Sequence, residues 1–483
     1  MENGLKKQYG LLTAICMVVG TVIGSGVFFK AQAILDKTDG DMPMGILAWL
    51  VGGLVMIICV LAFAVMAQRY EKVNGIVDYA EATVGSRYSY LVGWFVTVLY
   101  APAMTSVLAW LTARYFITFL CSVNPDFTLS VPYSEGGAVM GAETLCLAGF
   151  ILIFVFAVNT LSPKIAGKLQ VSATFIKLVP LILMAVVGIV YGFTHNMANE
   201  PVSVLASNFA TGTGNFSNLF GAVVASAFAY EGWIIATSIN SEIKNSKRNL
   251  PIALIGGGLI IIAVYVLYYI GVAGGASVDT LRHDGATVAF VNVFGNVFGN
   301  ILNLFVAVSC LGTLNGLLIG CIRGMYSLSV RGYGPKVNFM KQLDGATGMP
   351  SNSCITGLVI VAFWLVYFYG ANLAPIKWFG IFSFDSSELP IITIYAFYIP
   401  IFVKFMIKEK GLPVIKRFVL PALGILGSVF MVFAALYSHG YVYYLEAKAN
   451  GEFSCPVLFY LIVFAAIMAA GALMMKPSKS QKK

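Results

Sequence analysis

Apolar stretches of about twenty residues or more, free or nearly free of charge, recur along almost the whole chain, and this constrains the fold more than any motif does. Tyr88–Ala113, Thr144–Pro163, Asn249–Val278, Phe418–Leu445 and Phe453–Met475 are plain cases. A helix needs roughly 20 residues to cross the hydrocarbon core of a bilayer. Only 11% of the 483 residues are charged and 59% are hydrophobic, whereas soluble domains carry about 25% charged residues. The apolar excess therefore faces lipid. Lipid cannot hydrogen-bond an open strand edge, and no alternating strand pattern is present, so the expected class is an all-α polytopic membrane protein.

Twelve spans are expected, near 11–33, 43–67, 88–118, 143–162, 167–192, 217–239, 250–273, 287–328, 352–370, 376–403, 415–437 and 454–475. This layout divides the chain into a cytoplasmic N-terminal segment 1–10, a five-helix unit 11–192 and a second unit 217–405. Two further helices within 415–475 and a basic cytoplasmic tail 476–483 complete it. Placing both termini inside puts 23 of the 30 basic residues in inner segments. Lys30, Lys37, Arg114, Arg282, Lys377 and Lys448 fall outside, and Lys177 falls within the membrane. Lys and Arg are retained on the cytoplasmic side during insertion, which fixes this orientation. It also accounts for the net charge of +9, so no nucleic-acid partner is implied; the bilayer is the partner. The first apolar run lacks a small-residue cleavage site and reads as span one, not a signal peptide.

The eight cysteines show neither metal spacing nor a disulfide framework. Cys121 and Cys455 lie near outer helix ends, which leaves a bridge between them open, but no accessory subunit is evident. His195, His283 and His439 are assigned to outer loops or ends, so no metal site is expected. No nucleotide loop, zinc motif or serine triad is present, which argues against an enzyme and leaves no cofactor to assign. A channel filter is equally absent.

Span one carries Gly20-Thr-Val-Ile-Gly24-Ser25-Gly26-Val-Phe-Phe29, and span six carries Ala227-Phe228-Ala229-Tyr230-Glu231-Gly232-Trp233. Glycine in mid-helix costs roughly 1 kcal/mol relative to alanine, though small residues also serve close helix packing. Five crossings separate the two spans, so the second unit would be inverted relative to the first. Paired interruptions of this kind point to a transporter site. Unwinding frees N–H groups for an anion and carbonyls for a cation, which suits a zwitterion.

These segments resemble the amino acid–polyamine–organocation superfamily and, within it, the L-type amino acid transporter family. The match extends through Ser241-Glu242-Ile-Lys-Asn245-Ser246-Lys-Arg248-Asn-Leu250-Pro251 and Ser309-Cys-Leu-Gly312-Thr-Leu-Asn315-Gly316 to Arg323. The resemblance implies two inverted five-helix repeats plus two helices, with an amino acid held at the breaks. It places the substrate carboxylate on the backbone of Gly24, Ser25 and Gly26. The ammonium group would meet carbonyls near Val22 and Ile23 and those of Phe228, Ala229 and Glu231, with Phe228 as the gate. Relatives usually carry proline at Ser246, and many carry glycine or aspartate at Glu231.

A charge at the bilayer centre costs roughly 2.5–3.5 kcal/mol even on the insertion scale, so Lys177 should face the interior. The competing placement is snorkelling to the inner interface. In sodium-independent relatives a lysine at the matching place resembles a substitute for bound sodium, which makes Lys177 the expected coupling residue. Glu231 is expected to act as an ion-pair partner, a proton acceptor or a selector for cationic substrates. Asp385 and Glu388, three apart in span ten, would share a helical face and line the outer vestibule or pair with Arg114 or Lys377; the equally weighted alternative is a helix break close to the outer interface. The aromatic clusters Tyr265–Tyr269 and Phe363–Tyr369 read as lipid-facing or packing residues. The expected function is alternating-access amino acid transport, sodium-independent, by exchange, with proton symport of neutral or cationic amino acids as the alternative.

Overall fold

The computed structural model describes residues 10–70, 75–124, 141–197, 201–212, 215–236, 243–374, 376–451 and 453–475. The N-terminal residues 1–9, the basic tail 476–483, Lys72 and the Ser241-Glu242 part of the motif lie outside the described residues. Everything described is helix or short connection, apart from one isolated bridge between Asn196 and Ser203. The all-α class is as expected.

Span one is two helices, α1 (Leu11–Val22) and α2 (Gly26–Lys37), bent by 46° at the break. Next come α3 (Met42–Arg69), the short α4 (Ile76–Thr83), α5 (Ser86–Val123) and α6 (Ala142–Leu161). Span five divides at Lys177 into α7 (Pro163–Ile176) and α8 (Leu178–Thr194). After α9 (Val204–Ala210), span six is α10 (Ser217–Ala229) followed by the four-residue α11 (Trp233–Ala236). The second half continues through α12 (Ser246–Gly275), α13 (Val278–Asp284), α14 (Ala286–Val330), α15 (Val337–Met340), α16 (Ser351–Leu373), α17 (Leu389–Lys408), α18 (Ile415–Ala449) and α19 (Pro456–Met474). Among the described residues nine helices are long and apolar enough to cross a membrane, ten with the α1–α2 pair. The shorter apolar helices α8 and α10 lie where spans five and six were expected.

Two expected spans need correction. The stretch 287–328 is not one straight helix: Gly295, with φ +77°, kinks α14 in a conformation that only glycine adopts freely. The stretch 376–403 is helical only from Leu389; its first part is a loop with a single 3₁₀ turn at Gly380–Phe382. Asp385 and Glu388 therefore share no helical face. Asp385 Oδ1 instead accepts from the N–H groups of Ser387 (2.6 Å) and Glu388 (3.2 Å), so the carboxylate organises the entry to α17.

Helices from the two halves interleave. α5 packs along α14, α3 along α12, and α2 along α10, each pair joining spans five positions apart. Two prolines inside these helices free carbonyls that distant side chains then satisfy. Pro102 has no N–H for Val98 O, and the α5 turn there widens into a π-helix over Val96–Tyr100. The Trp364 indole donates to that carbonyl at 2.9 Å. Pro251 likewise frees Lys247 O, which accepts from the Gln68 side chain at 2.9 Å.

All eight cysteines are free thiols, so Cys121 and Cys455 are not bridged. The C-terminal part of α19 packs on the first turns of α5, through Tyr90 Oη to Gly471 O (3.0 Å) and Trp94 Nε1 to Ile467 O (2.9 Å). The Tyr265–Tyr269 cluster is packing, since Tyr265, Tyr268 and Tyr269 are all buried. In the second cluster only Phe363 and Val366 are exposed, while Trp364, Tyr367 and Phe368 are buried.

Replacing Trp364 with Phe removes the donor to Val98 O while keeping most of the apolar contact. The expected loss is about 1 kcal/mol, read as a lower melting temperature of the purified protein in detergent.

Candidate functional site at two helix breaks

The first break follows from the Gly-Ser-Gly sequence. Ile23 N–H still donates to Val19 O at 2.9 Å, but Ile23 itself turns to an extended ψ of 109°, and α2 begins only at Gly26. The carbonyls of Gly20, Thr21, Val22 and Ile23 thereby lose their helical partners. Lys177 Nζ, fully buried, donates to Gly20 O. Tyr265 Oη lies 3.2 Å from Val22 O, and Thr313 Oγ1 reaches only to 3.5 Å from Ile23 O while donating better to Ser309 O at 3.2 Å. Thr21 O receives no hydrogen bond from the described residues. On the other side of the break, the N–H groups of Gly24, Ser25 and Gly26 donate to no acceptor among the described residues. They open the positive end of α2.

The second break lies against the first. α10 ends at Ala229, Tyr230–Gly232 form a turn, and Gly232 takes φ +103°. A Cβ there would stand 2.6 Å from Thr21 O, so only glycine lets the two breaks meet. A Cβ on Gly26 would likewise collide with Ala229 Cα, and one on Gly24 with the Thr313 side chain. Tyr265 joins the two ends, since its hydroxyl is 2.9 Å from Ala229 O as well as close to Val22 O.

Between the breaks lies a narrow cavity lined by Thr21, Val22, Gly24, Ser25, Gly26, Tyr100, Met104, Leu108, Phe228, Glu231, Thr313 and Leu317. Ile23 and Ala229 are buried beside it, behind the lining. Glu231 is 5% exposed, and its Oε2 accepts from Tyr100 Oη at 2.5 Å and from Gly232 N–H at 3.3 Å. Its Oε1 has no hydrogen-bond partner. Phe228 lines the cavity and lies edge-on to Phe29, with ring centroids 6.3 Å apart.

All the residues expected at the site are brought together, with Lys177 behind the first break; it does not snorkel. Sequence reasoning missed Tyr265, Thr313 and Tyr100, which belong to helices remote in the chain. For Tyr100 a signal exists, because Pro102 inside an apolar span marks a local distortion. It also missed a second buried ionic group. Lys30, assigned to an outer segment, is 2% exposed, and its Nζ lies 2.6 Å from Glu388 Oε1. His439, taken for a surface residue, is 4% exposed, with Nε2 2.9 Å from Glu388 Oε2. Glu388 thus pairs with Lys30 and His439, not with Arg114 or Lys377. The position of Lys30 and His439 inside apolar runs was the available signal.

Gly26→Ala and Gly232→Ala should each weaken ligand binding to this cavity at least about tenfold, the effect of roughly 1.4 kcal/mol. Gly149→Ala, where nothing lies within 4 Å of the added methyl, should leave it unchanged. Thermal-shift titration with a panel of amino acids reads the difference.

Comparisons with known proteins give the family and the fold. The chain is 27% identical over 446 residues to the serine/threonine exchanger SteT of Bacillus subtilis, covering 90% of this chain and 92% of that protein. It is 26% identical to the human b(0,+)-type amino acid transporter 1, covering 95% and 87%. The human cystine/glutamate transporter matches at 23% over 72% of this chain and 66% of its own length. The crystal structure of MhsT in complex with L-phenylalanine shares the fold, with a TM-score of 0.59 at 14% identity, over 90% of this chain and all of that one. The amino acid permease family profile matches residues 9–467, and the chain belongs to that family, as a membrane transporter and not an enzyme.

Proposed function

We propose that the protein is a sodium-independent amino acid exchanger of the plasma membrane, working by alternating access with both termini cytoplasmic. One observation supports this reading: the unpartnered N–H groups of Gly24, Ser25 and Gly26 belong to residues that line one cavity together with Thr21, whose carbonyl accepts no hydrogen bond among the described residues. The substrate carboxylate docks on the N–H groups, where the α2 dipole favours an anion. The ammonium group meets carbonyls of Val22, Ile23, Phe228 and Ala229, and the free Thr21 O extends that set. Phe228 closes over the ligand. Three relatives bearing the names of exchangers or amino acid transporters support the substrate class.

Lys177 is the coupling residue in this reading. Its ammonium group sits on Gly20 O, at the negative end of α1, where a bound cation would otherwise offset the exposed carbonyls. A covalently held charge removes the need for sodium. Movement of α1 on substrate release then has to carry or break the contact to span five.

Glu231 sustains a second reading, proton symport or selection of a cationic side chain, because a buried carboxyl oxygen without a partner invites a proton or a cation. Counterflow in proteoliposomes separates the two. Exchange requires trapped amino acid inside and is indifferent to sodium and to a pH step, whereas proton symport accumulates substrate when the outside is acidified. Lys177→Ala should reduce counterflow at least about tenfold with membrane expression retained; unchanged counterflow would remove Lys177 from the mechanism.

A further inference from the structure

Tyr100 is the last residue of the π-helical turn Val96–Tyr100 that accompanies Pro102 in α5. It is buried, and its hydroxyl donates to Glu231 Oε2 at 2.5 Å. The same oxygen also takes the Gly232 N–H, at the longer distance of 3.3 Å. Tyr100 and Glu231 both line the cavity between the breaks, where Met104, Leu108 and Leu317 supply apolar wall. None of the ion pairs among the described residues includes Glu231.

The side-chain oxygens of the lining can be accounted for one by one. Thr21 Oγ1 donates to Val18 O at 3.0 Å, Thr313 Oγ1 to Ser309 O at 3.2 Å, and Tyr100 Oη to Glu231. The two that remain, Ser25 Oγ and Glu231 Oε1, are buried without a partner. Ser25 directly precedes α2, at the end proposed for the substrate carboxylate. Glu231 Oε1 is therefore the spare polar atom for a substrate side chain. An apolar side chain would leave that oxygen buried and unpaired, which is costly. An ammonium or guanidinium group brings several N–H donors, and Met104, Leu108 and Leu317 accept none of them. A hydroxyl matches the site. It carries a single donor, and because it also accepts, it pairs with Glu231 in either protonation state.

We infer that Tyr100 determines specificity: by occupying Glu231 Oε2 it leaves one open oxygen, and so selects a small neutral amino acid whose side chain ends in an O–H group. The phenol masks the acid. Without it, Oε2 keeps only the longer Gly232 contact, and both oxygens are open to a cationic side chain, in the paired arrangement that a guanidinium favours. The role of Tyr100 rests on the transporter reading, but it concerns which side chain is accepted and not how transport is coupled.

Exchange is measured in proteoliposomes loaded with unlabelled serine, alanine and arginine together, with one labelled amino acid of the three outside, to give kcat/KM for each. The unaltered protein should favour serine at least about tenfold over both alanine and arginine. Tyr100→Phe should raise the arginine-to-serine ratio at least about tenfold, and adding Glu231→Gln in that background should cancel the gain. Glu231→Ala should bring serine to within about threefold of alanine. Each readout is a ratio between substrates, so a variant that is merely less stable lowers all three and shifts no ratio. Where a variant no longer exchanges, thermal-shift titration of the purified protein with the same amino acids reads the same ratios. A native preference for alanine or arginine overturns the role of Tyr100 and leaves the transporter reading intact. So does an arginine-to-serine ratio unmoved by Tyr100→Phe, a gain that survives Glu231→Gln, or a serine preference that survives Glu231→Ala. If the unaltered protein neither binds nor exchanges any amino acid, the transporter reading itself fails, and the role of Tyr100 falls with it.

Discussion

A helix interrupted in lipid leaves backbone groups that neither water nor its own next turn can satisfy. In this protein that obligation organises the centre of the molecule. The break after Val22 strands four carbonyls, and side chains from three other spans come to meet them: Lys177 at Gly20 O, Tyr265 at Val22 O and, weakly, Thr313 at Ile23 O. The polar residues buried near mid-membrane are there because the backbone is open there. The N–H groups on the other side of the break meet no such side chain, and this asymmetry turns a structural interruption into a place for a ligand.

The same logic explains why the two breaks touch. Gly232 against Thr21 and Gly26 against Ala229 leave no room for a Cβ, so the ends of four half-helices converge on one cavity. Tyr265, shared between Val22 O and Ala229 O, ties the carbonyl ends of the two inner and outer segments through a single hydroxyl. Outside the cavity, Lys30 connects the outer half of the first break to Glu388 and His439. A lysine thus meets each half of the broken span, Lys177 of span five at the end of α1 and Lys30 within α2.

How far the sequence reveals this depends on the range of the interaction. The breaks were legible, because Gly24, Gly26 and Gly232 sit in runs otherwise apolar and helical, and glycine there has a local cost. Lys177 was legible for the same reason, as a charge the bilayer would not tolerate unless it faced inward. Tyr265 and Thr313 were not, since a tyrosine or threonine in an apolar helix is ordinary until the carbonyl it faces is known, and that carbonyl is 243 or 290 positions away. Lys30 and His439 were misassigned through reliance on span ends, although both lie within apolar runs where burial was the cheaper expectation. The kink at Gly295 escaped notice because hydropathy reports depth in the membrane and not helicity, whereas the interruption before Leu389 matches the helix break held open for Asp385 and Glu388.

The most direct measurement is a structure of the protein with a bound amino acid, at a resolution that shows the orientation of the ligand. The account predicts a carboxylate within hydrogen-bond distance of the N–H groups of Gly24, Ser25 and Gly26, and an ammonium group facing the carbonyls of the opposite helix ends. A ligand bound elsewhere, or one in this cavity with its carboxylate turned away from α2, would contradict it.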